Sequence, residues 1–437
     1  MSKPSPIARL KAFCRRLHVN VDGGVAAAIA VTTPLVIGIS GLGVETGLWY
    51  LDKRQAQSAA DAAAVAGALE RVRGKGAGVV TAAAQAAGKN SFSNAGNTSI
   101  QVFNPPSSGA YAGNGAAVEV RANRGHKPLF AALFLNNDVD VAARAVALIK
   151  TTGEACVLAL DPASSSAVGN KGNPTINMSG CTVAANSASA TAMQMSGSSI
   201  LVAFSLWLVG NYSSSGSAQM TLTQQPMTDA WALPDPYASE TLTPPSGCKA
   251  TNLKVNSGTV TLTPGTYCGG IDIGSQAKVT FQPGTYVINR GDFNVNAGAV
   301  VNCNCSAAGS GVTFELTSSG SASQIGTVTI NGGATVNLTA PSDPSYAHPG
   351  LLFYQDPRAP TNQIAKFNGG SSMALNGSLY FPKQEIEYAG GNSPTAPTCT
   401  QIIGLRVTFT GNSKVDNSGC VALGVKPVTI SGIQLVE

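Results

Sequence analysis

The sequence predicts three parts in order: an N-terminal transmembrane α-helix, a small α+β module, and an all-β right-handed parallel β-helix. Three observations predict this. Residues 23–44 form an apolar run with no charge. Residues 46–89 are rich in Ala and contain no Pro. Beyond about 154, short β-prone runs recur every 19–25 residues between Gly and Asn turns. The expected boundaries are 1–22 for a basic tail, 23–44 for the helix in the membrane, 45–150 for the module and 154–437 for the β-helix.

The 437 residues exceed one ordinary core, so more than one domain is expected. Charged residues make up only 11% of the chain, which suits a β-rich protein outside the cytoplasm. The net charge of +5 sits mostly in the tail: Lys3, Arg9, Lys11, Arg15 and Arg16 precede Asp22 with no acid among them. From Thr46 onward, 22 basic residues face 20 acidic ones. A nucleic-acid binder concentrates positive charge on its folded body; this chain does not, so no nucleic-acid partner is expected.

As a helix, 23–44 reaches about 33 Å, and the hydrocarbon core of a bilayer is about 30 Å. The basic tail before it stays on the cytoplasmic side. Trp49 and Tyr50 follow at the level of an aromatic belt. A cleaved leader has a shorter apolar run and a small-x-small site after it; here the run continues into helix-forming sequence. Pro34 sits mid-span, where a kink is expected, and Gly43 and Gly47 form a small-xxx-small pair.

The helix is expected to continue through 46–70. Leu48, Leu51, Gln55, Ala59, Ala62, Ala66 and Leu69 recur at three or four residues and define a small-residue stripe. Outside the bilayer such a stripe needs a protein partner. A second helix is expected over 77–89, strands over 98–103, 116–123 and 139–149, and a short helix over "KPLFAALFL", 127–135. Val118 and Val120 alternate with Glu119 and Arg121, the pattern of a half-buried strand.

The β-helix rests on repetition. "VTLTPGTYCGGIDI" (260–273) and "VTFQPGTYVINRGDF" (279–293) match at an offset of 19, setting Val260 against Val279 and Tyr267 against Tyr286. A weaker match, 175–186 against 200–211, has an offset of 25. Coils that cannot bury their apolar face alone do so by stacking. A β-sandwich, or a string of two, is the competing architecture, but it leaves the PGTY echo unexplained. Loop excursions are expected near 212–250, 340–365 and 383–400.

Catalytic chemistry is weakly signalled. Parallel β-helices include enzymes acting on polysaccharides, which converge carboxylates on a groove. The candidates are Asp272 and Asp292, about one coil apart, with Arg290 beside them. A solvated corner explains them more simply. His18, His126 and His348 have no partner by spacing and are expected at the surface. The run 169–174 lacks the ending of a P-loop. No enzymatic activity, catalytic residue, cofactor or metal is therefore expected.

Residues 23–68 resemble the N-terminal membrane module of the TadG-like (TadE/TadG) Flp pilus-assembly family. The likeness lies in Pro34, in Glu45 and Gly47 before Trp49 and Tyr50, and above all in the Gln-x-x-Ala-Asp-Ala-Ala-Ala-x-Ala block from Gln57 to Ala66. The region beyond looks like the β-helical, non-enzymatic extension of some members. The resemblance implies a single-pass protein of a bacterial inner membrane, with its N-terminus cytoplasmic and its bulk periplasmic or extracellular. It would serve the tight-adherence machine that assembles and exports thin pili, with the bilayer and other pilus-assembly subunits as partners. Trp49, Tyr50, Gln57, Ala59, Asp61, Ala62 and Ala66 are the assembly-helix candidates.

Two family patterns are absent. Asp161 is followed two places on by Ala163, which breaks the Asp-x-Ser-x-Ser metal motif of relatives with a von Willebrand A domain. The position where a prepilin carries glutamate is Ala28 or Ile29. The rival function is a surface adhesin or carbohydrate-binding β-helix protein with a surface glycan as partner; a polysaccharide lyase or hydrolase is further off.

Cys14 lies in the tail, and eight cysteines follow the span: Cys156, Cys181, Cys248, Cys268, Cys303, Cys305, Cys399 and Cys420. An even count in an oxidising compartment favours disulfides. The local pairs are Cys156 with Cys181, Cys248 with Cys268, and Cys399 with Cys420; Cys303 with Cys305 closes a short loop. Thiol counting on the unreduced, denatured chain should find Cys14 alone; eight further free thiols would remove the disulfides from the account.

Overall fold

The computed structural model describes residues 24–370, 373–390 and 399–437. The tail, with Cys14 and His18, lies outside the described residues, as do 391–398 of the excursion expected near 383–400. The chain divides into two units, 1–150 with 432–437, and 151–431.

In the first unit, α1 (Gly24–Val72) is a single helix of 49 residues that runs through Pro34. It joins the expected span to the expected 46–70 helix. Among the described residues it is the one helix long and apolar enough to cross a membrane. Val31, Leu35 and Ile39 in its first half are exposed, whereas Ala56, Ala59, Ala60, Ala63, Ala64 and Ala68 in its second half are fully buried. The cover comes from α2 (Val79–Lys89) and from the strands β1 (Thr98–Phe103), β2 (Ala117–His126) and β3 (Val139–Ala159).

The three strands are antiparallel, with Val102 opposite Val120 and Val120 opposite Ala145. Strand alternation turns Val118, Val120 and Ala122 toward the helices. Small residues bring the layers close: a Cβ on Gly67 would lie 3.0 Å from the Val118 side chain. The short helix expected over 127–135 is one 3-10 turn, Ala131–Leu133. A segment this short cannot sustain an α-helix by its own hydrogen bonds.

The other face of the sheet buries Glu119 completely. Its carboxylate accepts from the Ser107 N–H at 2.7 Å, Arg121 Nε at 2.8 Å and Arg144 Nε at 2.7 Å. Burial raises its pKa, but these donors, Arg144 foremost, outweigh burial and hold it at about 2. The final residues return to this unit. The Val436 N–H donates to the Val146 carbonyl, and the Glu437 carboxylate meets Arg144. The β-rich unit, expected to reach 437, therefore ends at 431.

The second unit is built of parallel strands in three ladders. One ladder stacks Gly284–Asn289, Val312–Thr317, Leu351–Gln355, the middle of Met373–Gly390, the start of Thr400–Phe409, the end of β3, the end of Thr175–Ala185 and the end of Ile200–Leu208. A second runs through Phe293–Val295, Val328–Ile330 and Ile364–Gly370. A third contains Val300–Cys303 and Thr335–Thr339. Aromatic rings stack from strand to strand along the first ladder, as at Phe314 and Phe353, 5.0 Å apart.

The 19-residue echo is a true register where it begins, with Val260 beside Val279 and Leu262 beside Phe281. It slips after the Pro-Gly step. Tyr267 pairs with Ile288, and Gly265 pairs with Tyr286. The expected Tyr267–Tyr286 pair survives only as stacked rings 5.9 Å apart. The offset of 25 also holds at its start, with Ile176 beside Leu201.

Strand order in the ladders differs from chain order. The end of β3 pairs on one side with Thr175–Ala185 and on the other with Thr400–Phe409. From β3 the chain winds outward to Gln219–Leu222, the last strand at that end. It then returns along the outside of the stack and begins again at the opposite end, with Cys248–Leu262. From there it winds back to meet β3.

The returning strap occupies 223–247, within the excursion expected at 212–250. The flanks of that excursion are strands instead: Tyr212–Ser214, Gln219–Leu222 and the first residues of Cys248–Leu262. The strap touches one ladder strand after another. Trp231 packs edge-on against Trp207 with ring centres 4.9 Å apart. Asn186 holds the Leu233 backbone at 2.8 and 2.9 Å. Tyr237 packs on Tyr380, and Tyr354 Oη donates to the Glu240 carbonyl at 2.9 Å. The Thr243 N–H donates to Glu315 at 2.7 Å. Part of the excursion expected at 340–365 is likewise a fully buried strand, Leu351–Gln355.

His348 fastens the strap. Contrary to the surface position expected from spacing, it is buried between two carboxylates. Its Nδ1 lies 3.2 Å from Glu240 on the strap, and its Nε2 lies 3.1 Å from Glu315 on the ladder. Lys426 meets Glu240 from outside. Burial lowers the His348 pKa, but Glu315 and then Glu240 raise it further, so it stands above its ordinary 6.5. Burial raises Glu240, but Lys426 and then His348 bring it below its ordinary 4.5.

Raised histidine stability is complete below about pH 6.5 and fades as pH climbs through the folded value. Lowered carboxylate stability is complete above about pH 4.5 and fades in acid. The clamp is therefore strongest between these limits. Thermal unfolding of the β-rich unit should show a melting temperature that falls from pH 6 toward pH 8.5, and H348Q should flatten that slope. A slope that H348Q leaves intact would rule out the clamp.

Candidate functional site

The site suggested by the sequence is the membrane-proximal part of α1. The structure gives it a collar built from the segment between β2 and β3. Glu45 is buried, and its carboxylate accepts from three successive backbone N–H groups: Leu129 at 2.6 Å, Phe130 at 3.0 Å and Ala131 at 2.7 Å. The Phe130 ring lies over Gly41, where an added Cβ would come within 2.4 Å of it. About two turns further along, Asp52 meets Arg124 at 2.5 Å and His126 at 2.8 Å. Arg124 also lies over the Phe92 ring, 4.4 Å from its centre. His126, expected to be unpartnered, thus contacts Asp52 beside Arg124.

The expected assembly residues divide by face. Gln57 Nε2 donates to Asp61 at 2.7 Å and to the Arg144 carbonyl at 3.1 Å, which fixes both to the module. Ala59 is fully buried, while Ala62 and Ala66 are half-buried at the margin. Trp49 is half-buried and Tyr50 exposed. The buried stripe is Ala56, Ala59, Ala60, Ala63, Ala64 and Ala68, rotated from the stripe read in the sequence. The partner that the alanine face requires is the chain itself. The surface of α1 open to another protein carries Leu48, Tyr50, Leu51 and Val65. Nothing in the sequence marked Glu45 as a cap, because its donors lie 84–86 residues away.

The second unit offers a different candidate. A polar cleft of about 440 Å³ is lined by Ser164, Ser166, Asn170, Lys171, Gln194, Glu385, Arg406 and Thr408. Glu385 accepts from Thr408 at 2.7 Å and from Arg406 at 3.2 Å. Asp161 is engaged locally, accepting from the Ala163 and Ser164 N–H groups at 3.0 and 2.9 Å.

The carboxylates weighed for polysaccharide chemistry are not register partners. Asp272 stands opposite Asn294 rather than Asp292, and Asp292 accepts from the Thr327 N–H. Among the described residues, no three His, Cys, Asp or Glu side chains gather to hold a metal ion. The structure pairs Cys156 with Cys181, Cys248 with Cys268, Cys303 with Cys305 and Cys399 with Cys420, at Cα separations of 5.8, 5.6, 5.2 and 4.7 Å.

The alanine face leaves no room for larger side chains. A63L should cost about 1–3 kcal/mol through overpacking, whereas S58A on the exposed side should stay within about 0.5 kcal/mol. Thermal unfolding separates the two, and equal effects would contradict the packing.

The helix that carries this geometry is also where a likeness to known proteins lies. No curated protein and no solved structure matches the chain. Residues 23–70, which are α1 almost from end to end, match the family model described as putative Flp pilus-assembly TadE/G-like.

Proposed function

We propose that this chain is a membrane-anchored, non-enzymatic envelope component of a Flp, or tight-adherence, pilus assembly and export system. The first half of α1 crosses the bacterial inner membrane once, with the basic tail in the cytoplasm and both units in the periplasm or beyond. The three ladders of the second unit coil as a right-handed parallel β-helix that serves as spacer or recognition surface. The exposed residues of α1 beyond the bilayer meet other pilus-assembly subunits. One observation carries the reading: the segment matching the pilus-assembly family is a single helix, lipid-like in its exposed half and packed on its own module in the other.

A second reading, a surface that binds carbohydrate, has one observation in its favour. The cleft between Ser164 and Arg406 mixes hydroxyl, amide and charged groups suited to a sugar.

Removing 24–44 should release the chain from carbonate-washed membranes, and cells lacking the chain should fail to assemble pili. A full chain that washes off with carbonate would contradict the anchor. Normal piliation without the chain would contradict the assembly role. Retention of the chain on a polysaccharide column, lost in R406A, would favour the second reading.

A further inference from the structure

We propose that the collar, residues 129–135, is a second membrane-inserting element, seated in the acyl region of the leaflet that faces the first unit. The proposal rests on the anchor reading above and adds a separate contact to it.

The first observation is exposure. Leu129, Leu133 and Phe134 are 77, 79 and 74% exposed, within one run of seven apolar residues, LFAALFL. A soluble surface scatters such side chains singly; clustered, they mark an interaction site. The second is position. Phe130 packs over Gly41, inside the charge-free run of α1, so the collar lies level with the part of the helix expected in lipid. Exposed Val36, Ile37, Ile39 and Val44 on α1 extend the apolar surface that the collar begins.

The third observation concerns the backbone. Lipid supplies no hydrogen bonds, so an element that enters it must satisfy its own N–H groups. Glu45 takes those of Leu129, Phe130 and Ala131. The Phe130 and Ala131 carbonyls take those of Leu133, Phe134 and Leu135. Six N–H groups in seven residues are thus satisfied inside the unit. The segment thus meets the backbone condition for entering lipid. Polar groups mark the boundary: exposed Lys127 and the Asp52, Arg124 and His126 cluster lie just beyond the apolar run. A short apolar wedge with a basic flank suits the interface of an anionic bilayer.

The test places a nitroxide at L133C or F134C in the full chain, with C14S removing the tail thiol. The protein is reconstituted in phosphatidylethanolamine and phosphatidylglycerol vesicles, and K75C is the aqueous control. At 133 and 134, collisions with oxygen should exceed those with a water-soluble nickel complex by about ten-fold, with the order reversed at 75. E45Q should raise nickel access at 133 about three-fold while leaving a label at L35C in lipid. A chain that floats with the vesicles but admits nickel at 133 as freely as at 75 overturns the proposal and leaves the anchor intact. A chain that does not float overturns the anchor as well. Dipolar broadening at 133 that vanishes on dilution with unlabelled chain assigns the collar to a second copy and overturns the proposal.

Discussion

One helix has to satisfy two environments, and the first unit is organised around that requirement. In its first half α1 presents Val, Leu and Ile outward, side chains that gain free energy where water is excluded. In its second half it offers alanine, which gives a helix its strongest local propensity but little apolar area per residue. Alanine contributes to stability only if its partner comes very close. The fully buried stripe from Ala56 to Ala68, the bare position at Gly67 and the facing Val118, Val120 and Ala122 achieve that approach. The module around α1 therefore reads as a sleeve that covers the helix where the apolar run ends.

The second unit meets a different constraint by similar means. A parallel ladder needs a long connection for every strand, and its end strands present unpaired backbone. Here the chain enters the stack in the middle, winds to one end, and crosses back along the outside before winding in again. The strap covers the outer side of one ladder with Trp231, Leu233 and Tyr237. It also closes the long excursion energetically, because each ladder strand that it passes supplies a contact. Glu240, His348 and Glu315 make that contact electrostatic at one point.

Much of this was legible in the sequence. The limits of the apolar run gave the exposed half of α1, because charge-free length is a direct physical signal. The echo from Val260 to Val279 gave a true register. The rotation of the alanine stripe was not legible: when Ala occupies most positions from 59 to 68, a 3.6-residue period has no unique phase. The order of the ladders was also hidden. Ile402 pairs with Val157 across most of the unit, and parallel pairing of generic β-branched residues leaves no local mark. Buried acids were invisible for the same reason. Glu119 read as the polar face of a half-buried strand and Glu45 only as part of a family pattern, and the donors of both, like those of Glu315, come together only in the fold.

The central claim is that α1 passes from lipid into an aqueous compartment outside the cytoplasm. The most direct measurement fuses alkaline phosphatase after Glu437 in one strain and β-galactosidase at the same place in another. The account predicts an active phosphatase and an inactive galactosidase. An active galactosidase with a silent phosphatase would place both units in the cytosol and contradict it.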